Sequence, residues 1–250
     1  MNAAPDLRAQ IEAFPALQPS HISQRNSPIA GILLTNVDLD HVLGLFTLRE
    51  GGPVHIYATP GMRAVLNRQM ALGKVLRTFS GVRWHSVPVG RFAPLPPGDA
   101  GSRLNFRAIE LSDQPPPFAK RISPKGIYSV AYQFVDSHTG KRLLVAPDVA
   151  SVNGPLRQAL EHSEAVIFDG TFWREDELAA IRPGAANARE MGHLPIQKGS
   201  LNLLANLRAR HKIYIHINNT NPILAPDSAE RRAVEAADIV VGEDGFSLQV

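Results

Sequence analysis

Two aspartates and a histidine stand together in Thr35-Asn36-Val37-Asp38-Leu39-Asp40-His41, directly after the apolar run from Ile29 to Leu34. Carboxylates and an imidazole at the tip of a buried strand converge on a cleft, and that mixture of donors suits a metal ion. A competing reading gives Asp38 or Asp40 the plainer task of capping the helix that follows. Two further apolar runs end in the same way. Ala165 to Phe168 stops at Asp169, and Lys212 to Ile215 stops at His216. Asp40, His41 and His216 would supply one carboxylate and two imidazoles and leave coordination positions open. That set suits non-haem Fe(II) and O2 chemistry, and it equally suits a catalytic zinc with three protein ligands. Ligand type does not separate the two metals.

Asp169 and His193 form a second pair, in which a carboxylate orients a histidine and leaves its far nitrogen for proton transfer. The alternative for His193, which lies between Gly192 and Pro195, is an ordinary loop histidine. Asn218, Asn219, Thr220 and Asn221 follow His216 and offer amides and a hydroxyl to a polar substrate. They could equally bond to their own turn. His21, His55, His85, His138, His162 and His211 have no polar cluster around them and read as structural or solvated.

These residues need strands and helices to hold them. Helical spacing is expected over Pro5–Phe14, after His41 through Leu43, Leu45, Phe46 and Leu48, from Pro60 toward Met70, and over Pro155–His162, Glu175–Ile181, Ser200–Arg208 and Ser228–Ala236. Strands are expected at Ile29–Leu34, Val54–Ala58, Val82–Val89, Leu104–Leu111, Ile127–Val135, Leu143–Ala146, Ala165–Phe168, Lys212–Ile215, Ile239–Val241 and Ser247–Val250. A Pro/Gly-rich loop follows Val89. A second, from Asp113 to about Gly126, could wall a pocket. Strands interleaved with helices imply an α/β layer fold.

The 250 residues, 44% of them hydrophobic, suffice for one core in a single domain. A net charge of +3 without a basic block gives no reason to expect nucleic acid. No apolar run is long enough for a membrane span, and the N-terminus lacks the pattern of a signal peptide, so a cytoplasmic protein is expected. Without cysteine, any metal must sit on histidine and carboxylate.

The stretches TNVDLDHVLGLFTLREG, IYATPG, FDGTFW, MGH and HINNTNPIL, with PDLRAQ near the start, resemble the coenzyme PQQ synthesis protein B family of the metallo-β-lactamase-like superfamily. The resemblance implies an αββα four-layer sandwich. That family opens with a glycine-rich strand and a cysteine cluster that binds structural zinc, and this chain starts after both, so the first strands should be lacking. Asn36 and Asp38 stand where the superfamily places its first two histidines, which dismantles one metal site and leaves Asp40, His41 and His216 as the other. Asp38 becomes an added ligand or a group supporting one, and Asn36 joins the substrate-binding candidates. Asp148 falls near the place of a bridging carboxylate. Asp169 and His193 are similar to the carboxylate–histidine proton shuttle of tRNA-processing endonucleases. The activity implied is Fe(II)-dependent hydroxylation, with O2, of a tyrosine-derived precursor of pyrroloquinoline quinone (PQQ). Alternatives are a carrier of PQQ or its precursor toward the periplasm and, less well supported, a zinc hydrolase. The partner is then a small molecule, and the sequence also allows a homodimer.

Overall fold

The computed structural model describes residues 1–19, 26–95, 103–120 and 125–250. His21 and parts of both Pro-rich loops lie outside the described residues. Two compact units are formed, one from the described parts of Met1–Val89, Ala93–Ser102 and Ser112–Val130, the other from Gly90–Phe92, Arg103–Leu111 and Ala131–Val250.

In the first unit, β1 (Ile32–Leu33), β2 (Val54–Ala58) and β3 (Val82–Ser86) form a parallel sheet in that order. Parallel neighbours require a crossover between them. The first crossover carries α2 (Leu39–Val42) and a 3-10 turn over Leu43–Thr47. The second carries α3 (Pro60–Arg68) and α4 (Leu72–Arg77). Helix α3 starts where it does because the Thr59 hydroxyl accepts the Met62 N–H and Pro60 occupies the first turn. Met62, Val65, Leu66, Leu72 and Leu76 from these helices are buried, as are Ile56 of β2 and Leu34, Val42 and Leu45 around the first crossover. The chain start is tied in as well. α1 (Leu7–Ala13) buries Leu7, and the Asn2 N–H donates to the Leu33 carbonyl at 2.8 Å. A two-residue strand, β4 (Ala93–Pro94), follows β3 in sequence.

Two local expectations are corrected here. The strand expected over Ile29–Leu34 pairs only at Ile32 and Leu33, because Ile29 to Gly31 lie outside the buried layer. The helix expected to run toward Met70 stops at Arg68, Ala71 takes a left-handed φ of 54°, and a separate helix α4 follows. Burial of Leu72 and Leu76 outweighs the helix-weakening Gly73.

The second unit holds β5 (Leu104–Ser112), β6 (Ser129–Asp136), β7 (Arg142–Ala146), β8 (Ala165–Asp169), β9 (His211–Ile215) and β10 (Val240–Val241), in the sheet order β10-β9-β8-β7-β6-β5. β6 and β7 are an antiparallel hairpin, closed by Asp136 accepting the His138 N–H and by Gly140 at φ 73°. From β7 to β10 every neighbouring pair is parallel. The crossovers hold α5 (Gly154–Glu161), then α6 (Glu177–Ile181) with a π turn at Ile196–Ser200 leading into α7 (Leu201–Ala205), then α8 (Ala229–Ala236). Asn153 and Ser228 cap α5 and α8 through their side chains. Leu144, Ala146, Val166, Phe168, Trp173, Ile196, Leu204 and Tyr214 pack into one core.

The helix expected over Ser200–Arg208 thus ends at Ala205. The strand expected at Ser247–Val250 is not formed, because its apolar alternation has no face to bury: Leu248 and Val250 are only half-buried and Phe246 is exposed.

Candidate metal centre

The parallel run β7–β8–β9 decides the chemistry of the second unit. Parallel strands end on the same side of their sheet, so whatever follows each of them gathers along one rim. β7 is followed by Pro147-Asp148, β8 ends in Asp169, and β9 is followed by His216. The register Ala146↔Phe168 and Asp169↔Ile215 sets these positions side by side. His193 joins them from the long crossover. The Leu194 N–H reaches the Val149 carbonyl, and the Phe172 ring meets the His193 imidazole edge-on at 5.7 Å.

Asp169 organises this rim. It is fully buried, and each carboxylate oxygen is used: Oδ2 accepts from the Val149 N–H (3.0 Å) and His193 Nδ1 (2.9 Å), while Oδ1 accepts from the Thr171 N–H (3.1 Å) and hydroxyl (2.6 Å). Burial alone would raise its pKa. The hydrogen bond from His193 and the proximity of His216 outweigh it and hold the carboxyl below its ordinary value. For His193, burial alone would lower the pKa, and the bond and charge of Asp169 with the charge of Asp148 raise it overall.

The Thr171 hydroxyl also lies 2.8 Å from His216 Nδ1. The hydroxyl also lies 2.8 Å from the His216 carbonyl, but its single proton goes to the closer and charged Asp169 oxygen, so it accepts from His216 Nδ1–H. Both histidines therefore spend Nδ1 on Asp169, one directly and one through Thr171. This is the support that metal-bound imidazoles ordinarily receive. His216 sits at φ 57°, a left-handed value uncommon outside glycine, held by this network. Gly170 allows the close approach. A Cβ there would meet Tyr214 Cβ at 2.9 Å and the Ile215 carbonyl at 3.1 Å.

One donor atom each from Asp148, His193 and His216 lie within 4.8 Å of one another. Ligand atoms bonded at about 2.0–2.2 Å to one ion sit roughly 3–4 Å apart, so the cluster fits a single divalent ion after slight contraction. Two imidazoles and a carboxylate, without thiolate, suit iron or zinc.

In the first unit His41 is buried, with Nδ1 facing Asn2 Nδ2 at 2.9 Å and Thr35 Oγ1 at 3.2 Å. Its Nε2 is 3.6 Å from Asp40 Oδ2, and Asp40 is largely exposed. Asp38 occupies the N-cap position of α2, yet its carboxylate makes no capping bond. The capping role weighed from sequence is thus not the one its side chain performs.

A β-lactamase superfamily domain model matches residues 1–217. A coenzyme PQQ synthesis protein B from Azotobacter vinelandii is 38% identical over the whole of this chain and 82% of its own length. The chain belongs to the coenzyme PQQ synthesis protein B family. A zinc-bound crystal structure of a family member from Methylobacterium extorquens superposes with a TM-score of 0.85 at 32% identity, covering all of this chain and 82% of the other. Human tRNase Z, short form, shares the fold with a TM-score of 0.61 at 16% identity, over all of this chain and 87% of the other. The fold is therefore the metallo-β-lactamase-like α/β fold that the motifs implied.

Of the residues singled out in the sequence, the second unit pairs Asp169 with His193 and sets His216 beside them. Asp40, His41, Asp38 and Asn36 belong to the first unit. Asn36 is buried, and its amide oxygen accepts the Asp38 N–H. Among the residues after His216, Asn218 donates to the Thr220 hydroxyl, which donates to Glu177. Asn221 is buried and donates to the Gly170 carbonyl, and Asn219 is exposed. Asp148, which the family resemblance placed near a bridging carboxylate, stands beside His193 and His216. Thr171 and Asn2 carried no signal: an isolated hydroxyl and an isolated amide match no spacing.

Proposed function

We propose that this protein acts in PQQ biosynthesis as a metal-dependent oxygenase that hydroxylates a tyrosine-derived precursor. The observation that carries the reading is the two-histidine, one-carboxylate cluster of Asp148, His193 and His216 on the rim of β7–β9. With so few protein donors, a bound Fe(II) would supply activation of O2 beside the substrate. The chain's own residues set up that chemistry. Asp169 orients the ring of His193 directly and that of His216 through Thr171. Where Asp40, His41 and His216 hold the metal instead, His193 stays off it, and its raised pKa lets it hold a proton and return it to substrate oxygen. Asp38, Asp40, His41 and His216 are the alternative ligand set, and Asn36, Asn218 and Asn219 are candidate contacts for a polar substrate, whereas the Thr220 hydroxyl and the Asn221 amide are committed to Glu177, Gly170 and Ile223 and shape the loop.

Zinc remains the second reading, favoured by the zinc-bound relative. The deciding experiment is elemental analysis with O2 uptake on protein loaded anaerobically with Fe(II) or Zn(II), beside His216→Ala and His41→Ala. One iron per chain, with precursor-dependent O2 uptake lost in both variants, is the expected result. Zinc retention with no uptake from the iron-loaded protein would overturn the oxygenase.

A further inference from the structure

A separate cavity of about 280 Å³ opens in the first unit, lined by Ala58, Thr59 and Pro60, by Arg63, Asn67 and Arg68 of α3, and by Trp84 to Ser86 of β3. It lies past the carboxyl ends of β2 and β3, where parallel α/β sheets gather their ligands. Pro60, Arg63, Ala64 and Asn67 repeat at i, i+3, i+4 and i+7 and make one stripe of α3. That stripe is distinct from Met62, Val65 and Leu66, which face the core. The core does not need the cavity stripe. The Arg63 guanidinium lies over the Trp84 indole, 5.6 Å from the ring centroid. Asn67 and Arg68 follow one turn on. Among the described residues no acidic side chain lines the cavity.

We propose that this cavity is a binding site for a small planar aromatic carboxylate. Arg63 and Arg68 receive the charge, and the Trp84 indole receives the ring. Guanidinium donors match a carboxylate in charge and in the spacing of its oxygens. Indole and guanidinium planes both stack on flat rings. The volume is ample for one substituted ring. The His85 imidazole is braced against Tyr57 (ring centroids 4.5 Å apart) and against His55 Nδ1 (3.0 Å from its Nε2), which gives the cavity a rigid wall. Thr59 is committed elsewhere: its hydroxyl donates to the Ile127 carbonyl and accepts the Met62 N–H, so it shapes the floor and does not compete for the ligand. The site requires no metal and stands whether or not the oxygenase reading survives.

The chain has two tryptophans, and Trp173 lies in the core of the second unit, so the indole N–H resonances separate cavity from control. Full-length 15N-labelled protein is titrated with benzoate, with the Trp84 resonance assigned through Trp84→Phe. The expected result is a saturable shift of the Trp84 signal with Trp173 unmoved. Affinity should weaken about tenfold or more in Arg63→Gln and in Arg68→Gln, which is the loss expected for one charge-assisted contact. Both arginines are exposed, so these variants should keep the wild-type unfolding temperature. Benzyl alcohol, which lacks the charge, and cyclohexanecarboxylate, which lacks the flat ring, should each bind more weakly by a similar factor. An absent or non-saturating shift, equal affinity in the arginine variants, or inorganic phosphate binding as tightly as benzoate would overturn the proposal.

Discussion

At the scale of single residues, the centre of the second unit depends on a carboxylate that is itself not in the ligand cluster. Asp169 is buried with both oxygens occupied, and its value lies in what it holds in place. Thr171 extends that hold to His216. Replacing Thr171 with Val removes the hydroxyl and keeps the shape, so His216 loses its Nδ1 partner and its preferred tautomer. Affinity for Zn(II) or Co(II), read by competition with a chromophoric chelator, should fall about 10–100-fold, while Thr171→Ser should retain most of it.

The same pair sets a pH dependence in the metal-free protein. His193 has a raised pKa in the folded state, so its contribution to stability is fully present below the ordinary imidazole value and fades as pH rises through the raised one. Asp169 has a lowered pKa, so its contribution stands above the ordinary carboxyl value and is lost as pH falls through the lowered one. The two shifts describe one interaction and are not added. The gap in urea midpoint between wild type and His193→Ala should therefore be widest at mildly acidic pH and shrink at alkaline pH. A gap that grows toward alkaline pH would contradict the assignment of the pair.

At the scale of elements, the site is a consequence of strand direction. Had β8 run antiparallel to its neighbours, Asp169 would lie at the opposite rim from Asp148 and His216. The parallel arrangement is secured by the helical crossovers, and its tightest point is Gly170, pressed against Tyr214 and Ile215. Gly170→Ala should push the end of β8 away from β9, with a loss of about 1–3 kcal/mol in urea unfolding. Because Thr171 moves with it, the same variant should weaken metal binding. α3 shows the same logic in the first unit: one stripe serves the core, and the neighbouring stripe is left to line a cavity.

At the scale of the whole molecule, a metal that binds only the folded chain stabilises it by mass action. Saturation at about 100 times the dissociation constant should add roughly 2.7 kcal/mol, seen as a higher thermal midpoint that a chelator reverses. Asp148→Ala should reduce this gain. Among the described residues no helix is long and apolar enough to cross a membrane. The chain covers 82% of the length of the relative from Azotobacter vinelandii.

The sequence by itself determined the family, the α/β alternation and most element positions, because apolar periodicity and motifs such as TNVDLDH and HINNTNPIL are local signals. It also singled out Asp169, His193 and His216, since a polar residue ending an apolar run is visible without a fold. Tertiary structure alone decided the rest. That Asp148 stands beside His193 and His216 follows from sheet order, which no local pattern encodes. That Thr171 relays one carboxylate to a second histidine follows from a hydroxyl reaching across to the next strand, and that Asn2 reaches His41 follows from the chain start packing along β1. Where α3 ends and α4 begins was settled by burial of Leu72 and Leu76, because packing outweighs the weak propensities from which helix boundaries are read.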